Sequence, residues 1–296
     1  MWYLYSLIAL LCWSGSDLFS KVGSRPDDKY SHFKMIMAVG FVMGLHAIYQ
    51  LVFGGVTITF GDILKYLPVS ALYIGSMLLG YIGLRYIELS ISSPVCNSSG
   101  ALAALLCFIF LHQEINTLQI IAICLTVAGV VGLGIVEYRE DEQMRILRQE
   151  KANVKYTKSV IAILLPLLYC LLDALGTFAD AVVLETMDEN VANVAYELTF
   201  LTVGFIAFVV IVLFKKQRFT LKADLPKLFG GILETGGQFA YIFAIGANAI
   251  VSAPIISSYC VLSVIWSRIF LKEKLSYKHY IAIFLTICGI VMLGFE

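Results

Sequence analysis

Trp13 with Asp17 and Tyr169 with Asp173 form two pairs of an aromatic and an acid. The members of each pair stand four residues apart inside an apolar stretch. Residues at that spacing are neighbours on one helix face, so each pair sets a carboxylate one turn from a ring. A charged side chain at mid-bilayer costs about 2.5–3.5 kcal/mol even on the lenient insertion scale, so such acids face a cavity and mark a substrate or ion path. The chemistry on offer is cation binding: the carboxylate neutralises charge, and the ring face adds about 0.5–2 kcal/mol of cation–π attraction. Ser16 and Ser20 lie near the Asp17 face, and Thr177 and Asp180 near that of Asp173. The competing reading makes Asp17 an i, i+4 partner of Lys21 and Trp13 an interfacial anchor, whereas Asp173 has no basic neighbour.

A third acid, Glu234, heads a stripe with Gln238 and Tyr241, flanked by Gly230-Gly231 and Gly236-Gly237. Glycines let helices approach closely, so this stripe faces protein or cavity instead of lipid. Glu197, with Asn193 and Tyr196, repeats the pattern nearer a span end. Asn97 and Tyr259 follow Pro94 and Pro254. Proline frees a carbonyl and bends a helix, which suits a cavity wall and, equally, ordinary kink packing. The candidate substrate-binding residues are therefore Trp13, Asp17, Asn97, Tyr169, Asp173, Tyr196, Glu234, Gln238, Tyr241 and Tyr259. The candidate proton-coupling residues are Asp173, Asp180, Glu197 and Glu234. Arg85 with Glu88, and Arg268 with Glu273, are expected to be structural pairs. Of the histidines, His32, His112 and His279 sit at span ends, while His46 lies in a span without metal-ligand company. The absence of a phosphate loop, a nucleophile elbow or HExxH argues against an enzyme, and no metal or cofactor is expected.

These residues need helices in lipid to position them. The chain is 59% hydrophobic and 14% charged, too apolar for an ordinary soluble domain. The Met-Trp-Tyr-Leu-Tyr start lacks a basic region and a small-residue cleavage pattern, so the first span is expected to be retained. All seven cysteines fall in apolar stretches without CxxC spacing and read as buried thiols. No basic, aromatic-interleaved patch suggests nucleic acid. Crossing the hydrocarbon core takes about 20 residues, and ten runs qualify: 3–22, 32–53, 66–87, 92–111, 117–136, 159–184, 190–214, 225–246, 250–271 and 277–295. Between the fifth and sixth, residues 137–158 read as a charged, solvated linker that is in part helical.

Shifting the sequence by 160 positions lays Pro94–Gly134 on Pro254–Gly294 with 15 identities among 41 positions, an internal duplication. A shift of 156 lays Asp17 on Asp173 and Trp13 on Tyr169. The expected fold is all-α and integral to the membrane, with repeats 1–136 and 159–296. With five spans each, the second repeat enters from the opposite side, the inverted plan of secondary transporters with a site near the midplane.

Ser93-Pro94, Ala253-Pro254, Phe-Leu-x-x-Glu at Phe110 to Glu114, its relative Phe270-Leu271-Lys272-Glu273, and the glycine-ended last span of each half carry a resemblance. The chain resembles the EamA-like branch of the drug/metabolite transporter superfamily over essentially its whole length. That resemblance implies ten spans and transport of a metabolite, amine or drug, without naming the cargo. It also implies cytoplasmic termini, but the charges point the other way. Connectors after odd-numbered spans, with their helix ends, hold 20 of 21 Lys and Arg residues, and Lys65 alone lies opposite. The positive-inside rule then places both termini outside a plasma or inner membrane.

The expected activity is alternating-access, proton-coupled transport of a small organic cation such as choline, an amine or a cationic drug. A zwitterionic or neutral metabolite such as an amino acid is the alternative cargo, and a channel or scaffold the alternative class. Protons, the cationic substrate and the bilayer are the expected partners, with monomer and homodimer both open.

Overall fold

The structure is a computed structural model that describes residues 2–25, 27–111, 116–153, 156 and 160–293, with the backbone alone at 2, 160, 221, 242, 245–255 and 257. His112, Glu114, Lys155, Lys158 and Gly294 lie outside the described residues, as do the side chains of Ala253 and Pro254. The helices are α1 (Trp2–Gly23), α2 (Ser31–Val52), α3 (Phe60–Gly83), α4 (Leu89–Asn97), α5 (Ser99–Phe110), α6 (Thr117–Arg139), α7 (Glu142–Arg148), α8 (Val160–Leu184), α9 (Glu189–Phe208), α10 (Leu221–Ser257), α11 (Tyr259–Trp266) and α12 (Tyr277–Leu293). Helix α9 continues as a π-helix over Val209–Phe214, and α11 over Ser267–Leu271. No strand occurs among the described residues.

Local chemistry sets several starts. Thr59 and Asp62 form a reciprocal capping box at α3, Asn116 and Gln119 form another at α6, and the Asp188 carboxylate accepts from Asn190 N and Val191 N at α9. These bonds satisfy amides that a helix leaves unpaired at its start. Pro68 and Pro166 are carried inside α3 and α8.

Among the described residues, Ser31–Val52, Phe60–Gly83, Leu89–Phe110, Thr117–Arg139, Ile161–Leu184 and Glu189–Phe214 are long and apolar enough to cross a membrane; Tyr259–Leu271 and Tyr277–Leu293 are shorter apolar helices. Their outer faces stay apolar: Leu45 and Val52 on α2, Val127 and Val131 on α6, Phe205 on α9 and Phe284 on α12 are all exposed. Lipid demands both features, internally bonded helices and an apolar exterior. The chain is an all-helical, multi-pass membrane protein.

One stretch departs from the expected spans. The apolar pattern predicts a break between 246 and 250, yet α10 is helical from Leu221 to Ser257. Trp13 nonetheless packs against both Tyr241, at 5.3 Å between ring centroids, and Tyr259, at 5.7 Å. A straight helix would separate those tyrosines by about 27 Å at 1.5 Å per residue. The chain therefore turns back within 242–258, a stretch that holds Gly246 and Pro254, residue types at which helices bend.

Helix pairing is orderly. Helix α1 lies along α10, α3 along α8, α2 along α9, α6 along α12, and α4 meets α11. At the α6–α12 crossing the backbones nearly touch: a Cβ on Gly129 would lie 2.2 Å from Thr286 Oγ1, and one on Gly289 would lie 2.2 Å from Thr126 Oγ1. Only glycine permits that approach.

The linker is mostly exposed and in part helical, as expected, but one side of it is docked on the bundle. Its α7 tucks under the bundle, with Arg145 and Gln149 each 3% exposed and Tyr156 also buried. The guanidiniums tolerate burial because they meet carboxylates: Arg145 bonds Glu137, and Arg148 bonds Glu140 and Glu88. The cysteines also differ from expectation, since Cys170 and Cys260 are buried whereas Cys124 is exposed on the apolar exterior.

Candidate functional site

A cavity of about 640 Å³ runs into the bundle, walled by α1, α3, α4, α5, α8, α9, α10 and α11, with α6 and α12 also touching it. Trp13 and Asp17 of α1, Asn97 of α4, Tyr169 and Asp173 of α8, Tyr196 of α9, Glu234, Gln238 and Tyr241 of α10, and Tyr259 of α11 all line it. Asp180 lines it toward one mouth and accepts from Tyr66 Oη at 2.7 Å. Glu197 does not line it; its carboxylate is buried between helices against His46, with Nδ1 to Oε1 at 2.7 Å. The company missing from His46 in the sequence is thus an acid on another helix.

Three carboxylates of this cavity are held by hydroxyls. Asp17 Oδ2 accepts from Ser93 Oγ at 2.5 Å and Ser263 Oγ at 2.6 Å. Asp173 accepts from Ser99 Oγ at 2.7 Å and Ser76 Oγ at 3.4 Å. Glu234 accepts from Ser16 Oγ at 2.8 Å. Among the described residues, no Lys, Arg or His nitrogen comes within 4.0 Å of these three acids. The alternative pairing of Asp17 with Lys21 is not formed. Lys21 Nζ points away, donating to Leu84 O at 2.5 Å and to Ile87 O, and lying 4.2 Å from the Tyr156 ring centroid.

The serines on Asp17 and Asp173 are what sequence reasoning missed. Ser93 and Ser99 belong to a run, Ser90 to Ser99, unusually rich in hydroxyls for an apolar segment, and that was the available signal. Ser76 and Ser263 carry none, since single serines in spans are common. Tyr73 and Tyr81 of α3 also reach the cavity. Two buried donors on its wall, Trp13 Nε1 and Tyr81 Oη, have no partner among the described residues. Buried donors are rarely left so, and both suit a cavity that takes up a polar guest.

The ring array is compact. Trp13 contacts Tyr241 and Tyr259, and Tyr73 stands edge-on to Tyr196 at 6.0 Å. The arrangement can hold a cation between ring faces with an acid on either side.

The opposite end is sealed by polar contacts between elements distant in sequence. Glu273, of the Phe-Leu-Lys-Glu motif, accepts from Leu89 N at 3.2 Å and from Ser90 N at 3.1 Å, so it caps α4 from the other half of the chain. It does not form the expected ion pair, because Arg268 reaches only its backbone carbonyl. The expected Arg85–Glu88 pair is replaced as well. Glu88 Oε1 takes Arg148 Nη1 at 2.7 Å and Gln149 Nε2 at 2.6 Å, while Arg85 donates to the carbonyls of Arg25 and Lys29. Glu137, Glu140 and His279 cluster here closely enough to suggest a metal site. Arg145 and Arg148 already engage those carboxylates, so the cluster is an ion network.

Residues 1–135 match the sequence profile of the EamA-like transporter family, and residues 160–295 match it a second time. Twenty-seven chains of solved structures match as well. One of them, titled "Crystal structure of protein", aligns with a TM-score of 0.61 over 98% of this chain and 94% of its own; at 15% identity this shows a common fold. No curated protein matches the sequence.

Proposed function

Because the chain belongs to the EamA-like transporter family, whose members move small molecules across membranes, we propose that it is a proton-coupled secondary carrier for a small organic cation such as choline, another amine or a cationic drug. One observation carries the reading: Asp17, Asp173 and Glu234 share a ring-lined cavity, and among the described residues none has a base beside it. A bare carboxylate away from water is costly, so each of these acids takes either a proton or a cation. The two compete for the same oxygens, and entry of the cation expels the proton. Trp13, Tyr241 and Tyr259 supply ring faces, and Asn97, Gln238, Tyr169 and Tyr196 shape the remainder. Asp180 stands nearer the mouth and passes protons to the deeper acids.

Alternating access needs two halves that can exchange roles, and the packing supports ten crossings in two inverted repeats. Exchanging α1 with α8, α2 with α9, α3 with the first part of α10, α4 with the end of α10, α5 with α11, and α6 with α12 turns α1–α10 into α3–α8, α2–α10 into α3–α9 and α5–α8 into α1–α11, and leaves α2–α9 and α6–α12 as they are. The contacts of Gly129 on Thr286 and Gly289 on Thr126 are likewise reciprocal, as two copies related by a two-fold axis require. A single profile matching both halves agrees with this. The sealed end carries Arg85, Arg145, Arg148 and Lys274, so the positive-inside rule makes it cytoplasmic and the open mouth external.

The test uses purified protein in proteoliposomes with labelled choline and tetraphenylphosphonium. Wild type shows saturable counterflow, which a channel does not, and accumulates cation against a pH gradient. Asp173→Asn and Glu234→Gln abolish that accumulation. Undiminished uptake in both variants refutes the assignment, and a thermal shift with neutral metabolites but no amine transfers the site to the other cargo class.

A further inference from the structure

A second, smaller cavity of about 440 Å³ opens at the end of the bundle where the α2–α3 and α8–α9 connectors meet. Gln50, Asp188, Asn193 and Phe239 are among its walls. It is far larger than the volume one water needs, and its lining is in part polar. Below it lies the His46–Glu197 pair, absent from the lining of the central cavity. The pair connects in both directions. Toward the pocket, the Gln50 side-chain amide lies 3.2 Å from His46 Nε2. Toward the substrate, Asn193 stands one turn before Glu197 on α9, lines both cavities, and accepts from Gln238 Nε2 at 3.4 Å. Gln238 is in turn one turn from Glu234.

We propose that His46 and Glu197 form a second proton-binding site, filled from the end pocket through Gln50 and linked to the central cavity through Asn193 and Gln238. The chemistry is that of an acid and a base in direct contact at 2.7 Å with side chains only 1% and 18% exposed. Such a pair exists with one proton between the partners or with two, and the second proton changes its net charge within a low-dielectric setting. The groups facing it are few. On α2 there is Gln50, and on α9 there are Asn193 and Tyr196, the latter next to Glu197 in the chain. Phe239 of α10 meets the His46 ring edge-on at 5.2 Å, and Asp188 lies at the pocket wall. Among the described residues no Lys or Arg nitrogen lies within 4.0 Å of Glu197, and no other carboxylate lies within that distance of His46. The charge of the pair is therefore set by its own protons. Because α2 and α9 pack along each other, a charge change there moves Asn193 and hence the Gln238 stripe of the substrate cavity.

The use of this site in transport rests on the carrier reading, whereas its proton binding does not, and the experiment separates the two. Infrared difference spectra of the reconstituted protein between about pH 5 and pH 8 give a carboxyl band that Glu197→Gln deletes and His46→Gln displaces. An unchanged spectrum in Glu197→Gln overturns the proposal. In choline-loaded proteoliposomes, the ratio of pH-gradient-driven accumulation to counterflow falls by about tenfold or more in either variant. A wild-type ratio in both overturns the link to the cavity. Failure of wild type itself to carry out counterflow or accumulation removes the carrier reading and leaves the infrared result standing.

Discussion

Replacing Arg148 probes how the deep end of the cavity is held shut. Its guanidinium donates to Glu88 at 2.7 Å, to both oxygens of Glu140 at 2.9 and 2.8 Å, and to Lys274 O at 3.0 Å. The side chain is 7% exposed, so water screens these contacts little. Removing one partner from a buried ionic network costs about 3–5 kcal/mol. The lower figure applies, because Gln149 remains on Glu88 at 2.6 Å and Arg145 remains 3.5 Å from Glu140. The contacts join the connector before α4, α6, α7 and the segment before α12, so they last only while this end is closed. A loss of about 3 kcal/mol then raises the population open at this end by up to about 150-fold. Ser20, buried on the deep wall of the cavity, gives the readout as Ser20→Cys in a background without other reactive thiols. Its rate of reaction with an impermeant maleimide added on the α7 side rises by one to two orders of magnitude in Arg148→Ala. Arg148→Lys gives a smaller rise because the bidentate grip is lost, and Glu88→Gln with Arg148→Met recovers part of the closure because no bare charge remains. A labelling rate unchanged from wild type in a folded Arg148→Ala protein refutes this reasoning.

The same end gives a pH dependence. Burial pushes the Glu88 carboxyl up, but Arg148, its own amide and Gln149 pull it down, and the balance lies below the ordinary value. A lowered carboxyl contributes stability above the unfolded value of about 4.3 and loses it as pH falls through the lowered one. Hydrogen exchange over residues 84–92 therefore stays slow down to about pH 4 in wild type. In Arg148→Met the burial is no longer opposed by Arg148, the sign reverses, and protection is lost as pH rises. Gly129→Val and Gly289→Val, each forced onto a threonine across the α6–α12 crossing, cost about 1–3 kcal/mol and lower the melting temperature, whereas Gly134→Ala, with open space around it, does not. Trp13→Ala weakens cation binding by about tenfold through the lost ring face, read by isothermal titration with tetraphenylphosphonium, and Trp13→Phe loses less.

How much of this was legible in the sequence depends on the range of the interaction. Acids in apolar stretches are costly wherever they lie, so Asp17, Asp173 and Glu234 announced themselves, and helical spacing put Trp13, Tyr169 and Tyr241 beside them. Duplication was visible because Gly129 and Gly289, and Thr126 and Thr286, recur at one shift. Partner choice was not visible. Lys21, four residues from Asp17, turns to the carbonyls of Leu84 and Ile87, and Glu88 passes over nearby Arg85 for Arg148. Local spacing suggests such pairs, but the fold offers stronger ones from far along the chain. Glu197 reads like the cavity acids in sequence, and only the packing of α2 against α9 puts His46 on it. Single serines such as Ser76 and Ser263 were illegible for the opposite reason, since a hydroxyl costs little in a helix; only the hydroxyl-rich run from Ser90 to Ser99 marked Ser93 and Ser99.

Titration calorimetry of choline and tetraphenylphosphonium binding, in buffers of different ionisation heat, addresses the shared cavity acids most directly. Wild type binds a cation and releases a proton, so the apparent heat scales with that of the buffer; Glu234→Gln and Asp173→Asn bind more weakly and release fewer protons. Equal affinity and equal proton release in wild type and both variants contradict the account.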